Sequence, residues 1–196
     1  MASSSHDDIT QAAARLVVEE GLEYGLAKRK AARDLTRRLA RAADLPSNEQ
    51  VEDEVREYLA IFHADSQPSE LAALRRLAGQ WMERLAEFRP HLTGAVWRGT
   101  ATRRSAVQLE LYCDDPKSAE IALLNLHVDY EVGGNGDQTD LIRLEAPCRE
   151  LGQAVPLFLW VLDRDDLRGA LKPDSRGRTW RGDLAALTRL VLDSPP

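Results

Sequence analysis

Apolar positions in the first half of the chain recur with helical spacing. Ile9, Ala12, Ala13, Leu16 and Val17 fall at i, i+3, i+4, i+7 and i+8, the stripe of an amphipathic helix. Gly21 and Gly25 bracket the turn that ends it. A second helix is predicted over about 26–43, with Ala32, Leu35, Leu39 and Ala42 toward the core. After Pro46, Ser47 and Gln50 have capping-box spacing and open a third helix through Val51, Val55, Tyr58, Leu59 and Phe62. A fourth starts near Pro68, aligns Leu71, Leu74, Ala78, Trp81, Leu85 and Phe88, and stops at Arg89-Pro90.

Beyond residue 100 the period changes to two. Val107, Leu109 and Leu111 alternate with Ala106, Gln108 and Glu110, the pattern of a half-buried strand. "DPKSAEIALLNL" reads as a helix with Pro116 near its start. "HVDYEV", "LIRLEA" and "VPLFLWVLD" read as strands, with "GGNGDQTD" as a loop after the first of them. "RGDLAALTRLVL" reads as a closing helix, so Arg181-Gly182-Asp183 marks a helix start and not an adhesion tripeptide. The order implies an α+β protein. An N-terminal region of about four helices (residues 1–66, with the fourth entering at the boundary) is expected to pack on a mixed sheet within residues 67–196, closed by a C-terminal helix, the whole forming one compact unit.

Composition narrows the class without naming a function. The 196 residues are 43% hydrophobic and 30% charged, ordinary for a globular chain that forms a core without disulfides or metal. A net charge of −6 means that any polyanion partner needs a local basic patch. Cys113 and Cys148 are too few for a disulfide framework, and His6, His63, His91 and His127 lack metal-ligand spacing, so no metal site is expected. "MASSSHDDIT" lacks the pattern of a signal peptide, and no apolar run approaches the roughly 20 residues of a membrane span. A cytoplasmic location without membrane association is expected.

The stretch "GAVWRGTATRRSAVQLELY", Gly94 to Tyr112, carries the candidate chemistry. Gly94 and Gly99 would let backbone amides approach an anion, with Arg98, Thr100, Arg103, Arg104 and Ser105 as further donors. The following strand presents residues 106, 108 and 110 on one face. Two-metal phosphoryl transfer needs carboxylates on such a face, to hold Mg²⁺ ions about 3.5–4 Å apart. Here the face reads Ala106, Gln108, Glu110. Only Glu110 offers a carboxylate, with Asp129, Glu131, Asp140 and Glu145 as possible third ligands by position.

This stretch resembles the active-site motif of the DNA polymerase beta-type nucleotidyltransferase superfamily: Gly-Ser, a short spacer, Gly-Thr, then a strand opening Ser-Asp-x-Asp. Gly94, Arg98, Gly99, Thr100 and Ser105 match in register, while Ala95, Ala106 and Gln108 replace the serine and the two metal-binding aspartates. The resemblance covers roughly residues 70 to 165. It implies a nucleotidyltransferase-like sheet whose catalytic metal ligands are lost, with Mg²⁺ required only if activity survives through Glu110. Over its whole length the chain is also similar to a proteobacterial family that shares "YGLAKRKAAR", "FRPHLTG" and "DPKSAEIALLN". Some of its members carry the label nucleotidyltransferase-like, others UDP-N-acetylmuramate–alanine ligase. The ligase label needs an ATP-binding loop of Gly-x-x-Gly-Lys-Thr type, and "GGNGDQTD" has no lysine.

Arg29, Lys30, Arg33, Arg37 and Arg41 fall within a roughly 120° arc of the second helix, a stripe able to track a phosphate backbone or to pair with the acidic third helix. Trp97, inside the glycine turn, is placed either to stack on a base or to plug packing. Three functions follow as expectations. The first is an inactive nucleotidyltransferase-like protein that binds a nucleotide, a nucleic acid or a protein partner; its active form, with a non-standard metal site, is the alternative. The second is a nucleic-acid-binding regulator that uses the basic stripe. The third is an interaction module whose helical half supplies a dimer interface.

Overall fold

Helix α1 (Ala2–Glu20) and helix α2 (Tyr24–Thr36) form where the period of 3.6 is strongest, and helix α3 (Asn48–Phe62) follows Pro46. The structure is a computed structural model that describes residues 2–36, 45–133, 140–168, 172–174 and 176–193. Within them the chain divides into two compact units. Residues up to Pro68 with Thr100–Ser105 form the first, and Ser69–Gly99 with Ala106 onward form the second.

The first unit is a three-helix assembly. Ile9, Ala13, Ala14, Val17 and Val18 of α1 meet Ala27, Ala31 and Ala32 of α2 and Val51, Val55 and Leu59 of α3. With alanine at so many facing positions, helices can approach to the short end of the usual 8–10 Å spacing. The capping box forms as read: Gln50 N–H donates to Ser47 Oγ at 3.1 Å, and Ser47 N–H donates to Gln50 Oε1 at 2.8 Å. Three positions differ from the sequence reading. α2 begins at Tyr24, so Gly25 lies in its first turn and not in the connecting turn. Leu35 and Phe62 are exposed, at 52% and 64%, because the last turns of α2 and α3 border an open groove. Leu39 and Ala42 lie outside the described residues.

Helix α4 (Gln67–Arg84) starts the second unit's core with Leu74, Leu77, Ala78, Trp81 and Met82. A mixed sheet follows: β1 (His91–Thr93), β2 (Val107–Tyr112), β3 (Glu131–Gly133), β4 (Asp140–Cys148), β5 (Gln153–Leu162) and β6 (Arg181–Gly182). Its order is β3-β4-β5-β2-β1-β6, with β2 and β5 parallel and the other neighbours antiparallel. Helices α5 (Gly94–Arg98), α6 (Pro116–Asn125) and α7 (Leu184–Leu192) complete the unit, which with the N-terminal helices makes an α+β protein.

Leu92, Val107, Leu109, Leu111, Leu157 and Leu159 are fully buried on one sheet face. Residues of the opposite face, such as Gln108, Glu110, Phe158 and Trp160, are half-buried. That two-sided demand explains why β5 reads as a continuous apolar run.

"HVDYEV" is strand only from Glu131. α6 ends in a Schellman closure in which His127 takes φ 53° and Val128 N–H donates to the Leu123 carbonyl at 3.2 Å, so both residues serve the helix end. Arg181-Gly182 forms β6, and Asp183 is the cap of α7, donating no residue to a longer helix. Of the loop expected at "GGNGDQTD", Gly133 ends β3 and Asp140 begins β4, and residues 134–139 lie outside the described residues.

Candidate functional site

The alternation in β2 turns residues 108, 110 and 112 to the half-buried face, and there the chemistry collects. Glu110 accepts a 2.5 Å ion-pairing hydrogen bond from Arg181 Nη1 and a 2.7 Å bond from the Tyr112 hydroxyl. Arg181 Nη1 also lies 3.0 Å from the Tyr112 oxygen, closing a triangle. Tyr112 is fully buried, and that burial pushes its hydroxyl up to about 12, with the hydrogen bond to Glu110 adding to the shift. His91, opposite Glu110 on β1, sets its ring edge-on to Tyr112 at 5.3 Å and donates from Nδ1 to the Arg89 carbonyl at 2.9 Å. A cavity of about 450 Å³ opens beside His91, walled by Met82, Pro90, Leu167 and Leu184.

Gln108 lies against Gly94. A side-chain carbon built on Gly94 would come 3.2 Å from the Gln108 carboxamide carbon, and Gly94 holds φ at 69°. Both features favour glycine there, one for space and one for backbone freedom. Gly94 begins α5, as the phosphate-cradle reading requires, but the helix has only five residues. Its dipole is correspondingly short.

Arg98 is placed away from solvent. Its guanidinium lies within 3.3 and 3.4 Å of Asp174 Oδ2, donates to the Thr179 carbonyl at 3.3 Å, and stacks on Trp180 at 4.1 Å. The side chains of the pair are 4% and 3% exposed, so this arginine is already engaged in the folded unit. Asp174 accepts from the Arg178 and Arg176 amides as well, which with Arg98 hold its carboxyl below the usual range. Trp97 packs. Its indole N–H donates to the Thr179 carbonyl at 2.9 Å, and a carbon added to Gly182 would lie 2.1 Å from its ring. Gly99 takes a left-handed conformation at the end of α5, beside the guanidinium of the buried Arg75.

The rest of the motif belongs to the first unit. Thr100 shares a 3.1 Å hydrogen bond with the Tyr24 hydroxyl. Ser105 Oγ accepts from the Thr102 amide at 3.0 Å, and Arg104 donates to the Glu19 carbonyl. Arg103 is exposed. Gly94, Arg98 and Gly99 thus fall in one unit and Thr100–Ser105 in the other.

The residues do not fit a two-metal site. Ala106 has no ligand atom, Gln108 rests on Gly94, and Glu110 is neutralised by Arg181. Glu145 pairs with Arg143 at 3.2 Å on β4, two strands from β2 and so roughly 10 Å away. Asp140 is on the same strand, Glu131 is farther out on β3, and Asp129 is exposed in the segment before it. Among the described residues no group of three or more His, Cys, Asp or Glu side chains is placed to hold a metal ion.

On the basic stripe, Arg29 and Arg33 are exposed, while Lys30 pairs with Glu20 at 2.6 Å. Arg37 and Arg41 lie outside the described residues. Among the described residues, no helix is long and apolar enough to cross a membrane.

Sequence reasoning missed Tyr112, Arg181, Phe158 and Trp160 as members of this face. Tyr112 was within reach, two residues after Glu110 on the same period. Arg181 was not, because it arrives from β6 through the tertiary fold. Cross-strand partners run Arg143, Phe158, Gln108, Thr93, Arg181 across five strands in one lateral row. No protein-family model, curated protein or solved structure matches the chain.

Proposed function

We propose that the second unit is a nucleotidyltransferase-like module that binds a nucleotide without transferring it. The observation that carries this reading is the Glu110–Arg181–Tyr112 triangle: the sole carboxylate of the motif strand is held by a cation and a phenol. A dication would have to displace the guanidinium and would then meet Ala106 and Gln108, a weak set for a hard ion. The lateral row supports binding. Phe158 in the row and Trp160 two residues along β5 offer flat apolar area for a base. Arg143 and Arg181 at the ends of the row are paired with Glu145 and Glu110, with which a phosphate would compete.

The test pairs calorimetry with ATP and GTP, in Mg²⁺ and in EDTA, with an assay for transfer of labelled nucleotide to protein or RNA. Binding that persists without Mg²⁺, with no transfer, is expected. Phe158→Ala should weaken it by about 1–3 kcal/mol, the usual loss for one stacked base. Mg²⁺-dependent transfer that disappears in Glu110→Ala would replace this reading with an active enzyme. Absence of nucleotide binding at millimolar concentration would remove the ligand from it.

A further inference from the structure

The backbone around Arg181 is fixed from both sides. Before it, the Thr179 carbonyl accepts from Trp97 Nε1 at 2.9 Å and from Arg98 Nη1 at 3.3 Å. The next carbonyl, of Trp180, accepts from Thr93 Oγ1 at 3.1 Å, and Arg98 stacks on the Trp180 ring. After it, the Trp97 ring closes on Gly182. β1 and α5 thus form a clamp, and the residue it presents is Arg181, paired with Thr93 in the sheet. A guanidinium held in this way gives up little freedom on binding.

The hydrogen bonds of Arg181 are only partly spent. Arginine carries five N–H donors in a rigid fork. Nη1 uses its two on the Glu110 carboxylate at 2.5 Å and the Tyr112 oxygen at 3.0 Å. Nε and Nη2 form another edge of the fork, and among the described residues neither has a hydrogen-bond partner. Nε is buried as well. A buried donor without an acceptor is costly and uncommon in folded proteins, so it marks a place where an acceptor belongs. The Arg181 side chain is 26% exposed against 13% for Glu110, which makes the guanidinium the more open partner of the pair.

Two parallel donors on one edge match two oxygens of one phosphate or carboxylate. The surroundings favour phosphate. Glu110 stands opposite Trp160 of β5, with about 5 Å between the strands, so an anion on Arg181 lies next to the flat side chains proposed for a base. Glu110 has two opposing effects. It fixes the guanidinium through Nη1, and its charge repels the anion that the unspent edge attracts.

We infer that Arg181 is the anion-binding residue of this face, taking a phosphate on its Nε–Nη2 edge, while Glu110 orients it and holds the affinity down. Naming the anion a phosphate rests on the nucleotide reading; the unspent edge does not. Thr93 and Arg98 are then positioning residues for Arg181. The arginine that motif spacing assigns to phosphate acts one step back, by setting a second arginine in place.

Calorimetry of the full chain with pyrophosphate, in EDTA and at low salt, tests this. Arg181→Lys keeps the charge, loses the two-donor edge, and should weaken binding about tenfold or more. Glu110→Gln keeps an oxygen for Nη1, removes the charge, and should strengthen binding severalfold, a gain that unfolding cannot produce. Thr93→Val should weaken binding severalfold, with no further loss when added to Arg181→Lys, because its effect passes through that residue. Circular dichroism and melting curves check that each variant is folded. Pyrophosphate binding that is indifferent to Arg181→Lys, weakened by Glu110→Gln, or absent at millimolar concentration overturns the inference, and additive losses from Thr93→Val overturn the clamp. ATP separates the two readings. If ATP binds no more tightly than pyrophosphate and ignores Phe158→Ala, the nucleotide reading falls and the Arg181 site stands. If ATP binding depends on Phe158 and ignores Arg181→Lys, the reverse holds.

Discussion

Tyr112 shows how a single side chain can be legible in type and illegible in role. Its place on the Gln108–Glu110 face follows from the period of two, but its full burial and the Arg181 guanidinium at its hydroxyl depend on distant segments. A tyrosine raised to about 12 in the folded chain stabilises the fold fully below its unfolded value near 10. That contribution is lost as pH climbs from about 10 through 12, because the unfolded chain gives up the proton first. The shift corresponds to about 2–3 kcal/mol. Urea unfolding from about pH 8 to 12 should show the decline, and Tyr112→Phe should flatten it. By ultraviolet absorbance Tyr112 should titrate at about 12, above a free phenol. Arg98 teaches the converse. Its spacing in the motif assigns it to phosphate, yet the folded chain places it on Asp174 and Trp180. Spacing in sequence carries no information about a loop some 76 residues away that folds back to meet it.

At the scale of elements, the long helices and the alternating strands were readable because their signals are local. Ser47 with Gln50 announces α3, and Val107, Leu109 and Leu111 announce β2. β1 and β6, three and two residues long, are too short to carry a period and exist only because each finds a neighbour to pair with. His127 in a left-handed conformation hid the end of α6 for a similar reason, since glycine is the usual sign of that closure and none is present. β6 is also fixed from the side: Trp97 of α5 lies on Gly182 with no space for a methyl group. Gly182→Ala should therefore destabilise the fold by about 1–3 kcal/mol through overpacking, lowering the melting temperature by several degrees. An unchanged melting curve would show that the indole moves aside at no cost.

For the whole molecule, the division into units is not a division of the chain at one point. Thr100–Ser105 belongs with the first unit, where Gln67 donates to the Ala101 carbonyl at 3.0 Å and Thr102 donates to the Val18 carbonyl at 3.4 Å. A fragment of residues 1–68 lacks those partners. It should show less helix by circular dichroism and melt at a lower temperature than the same helices in the full chain; equal stability would mean the segment contributes nothing. Sequence alone determined the long helices, the alternating strand β2, the α+β class and the absence of carboxylates at positions 106 and 108, because each depends on residues a few positions apart. The tertiary structure decided that Glu110 meets Arg181, that Arg98 is buried on Asp174, and that the motif divides between two units. Those outcomes depend on which distant segments pair, and pairing is settled by the packing of whole faces and not by any local pattern.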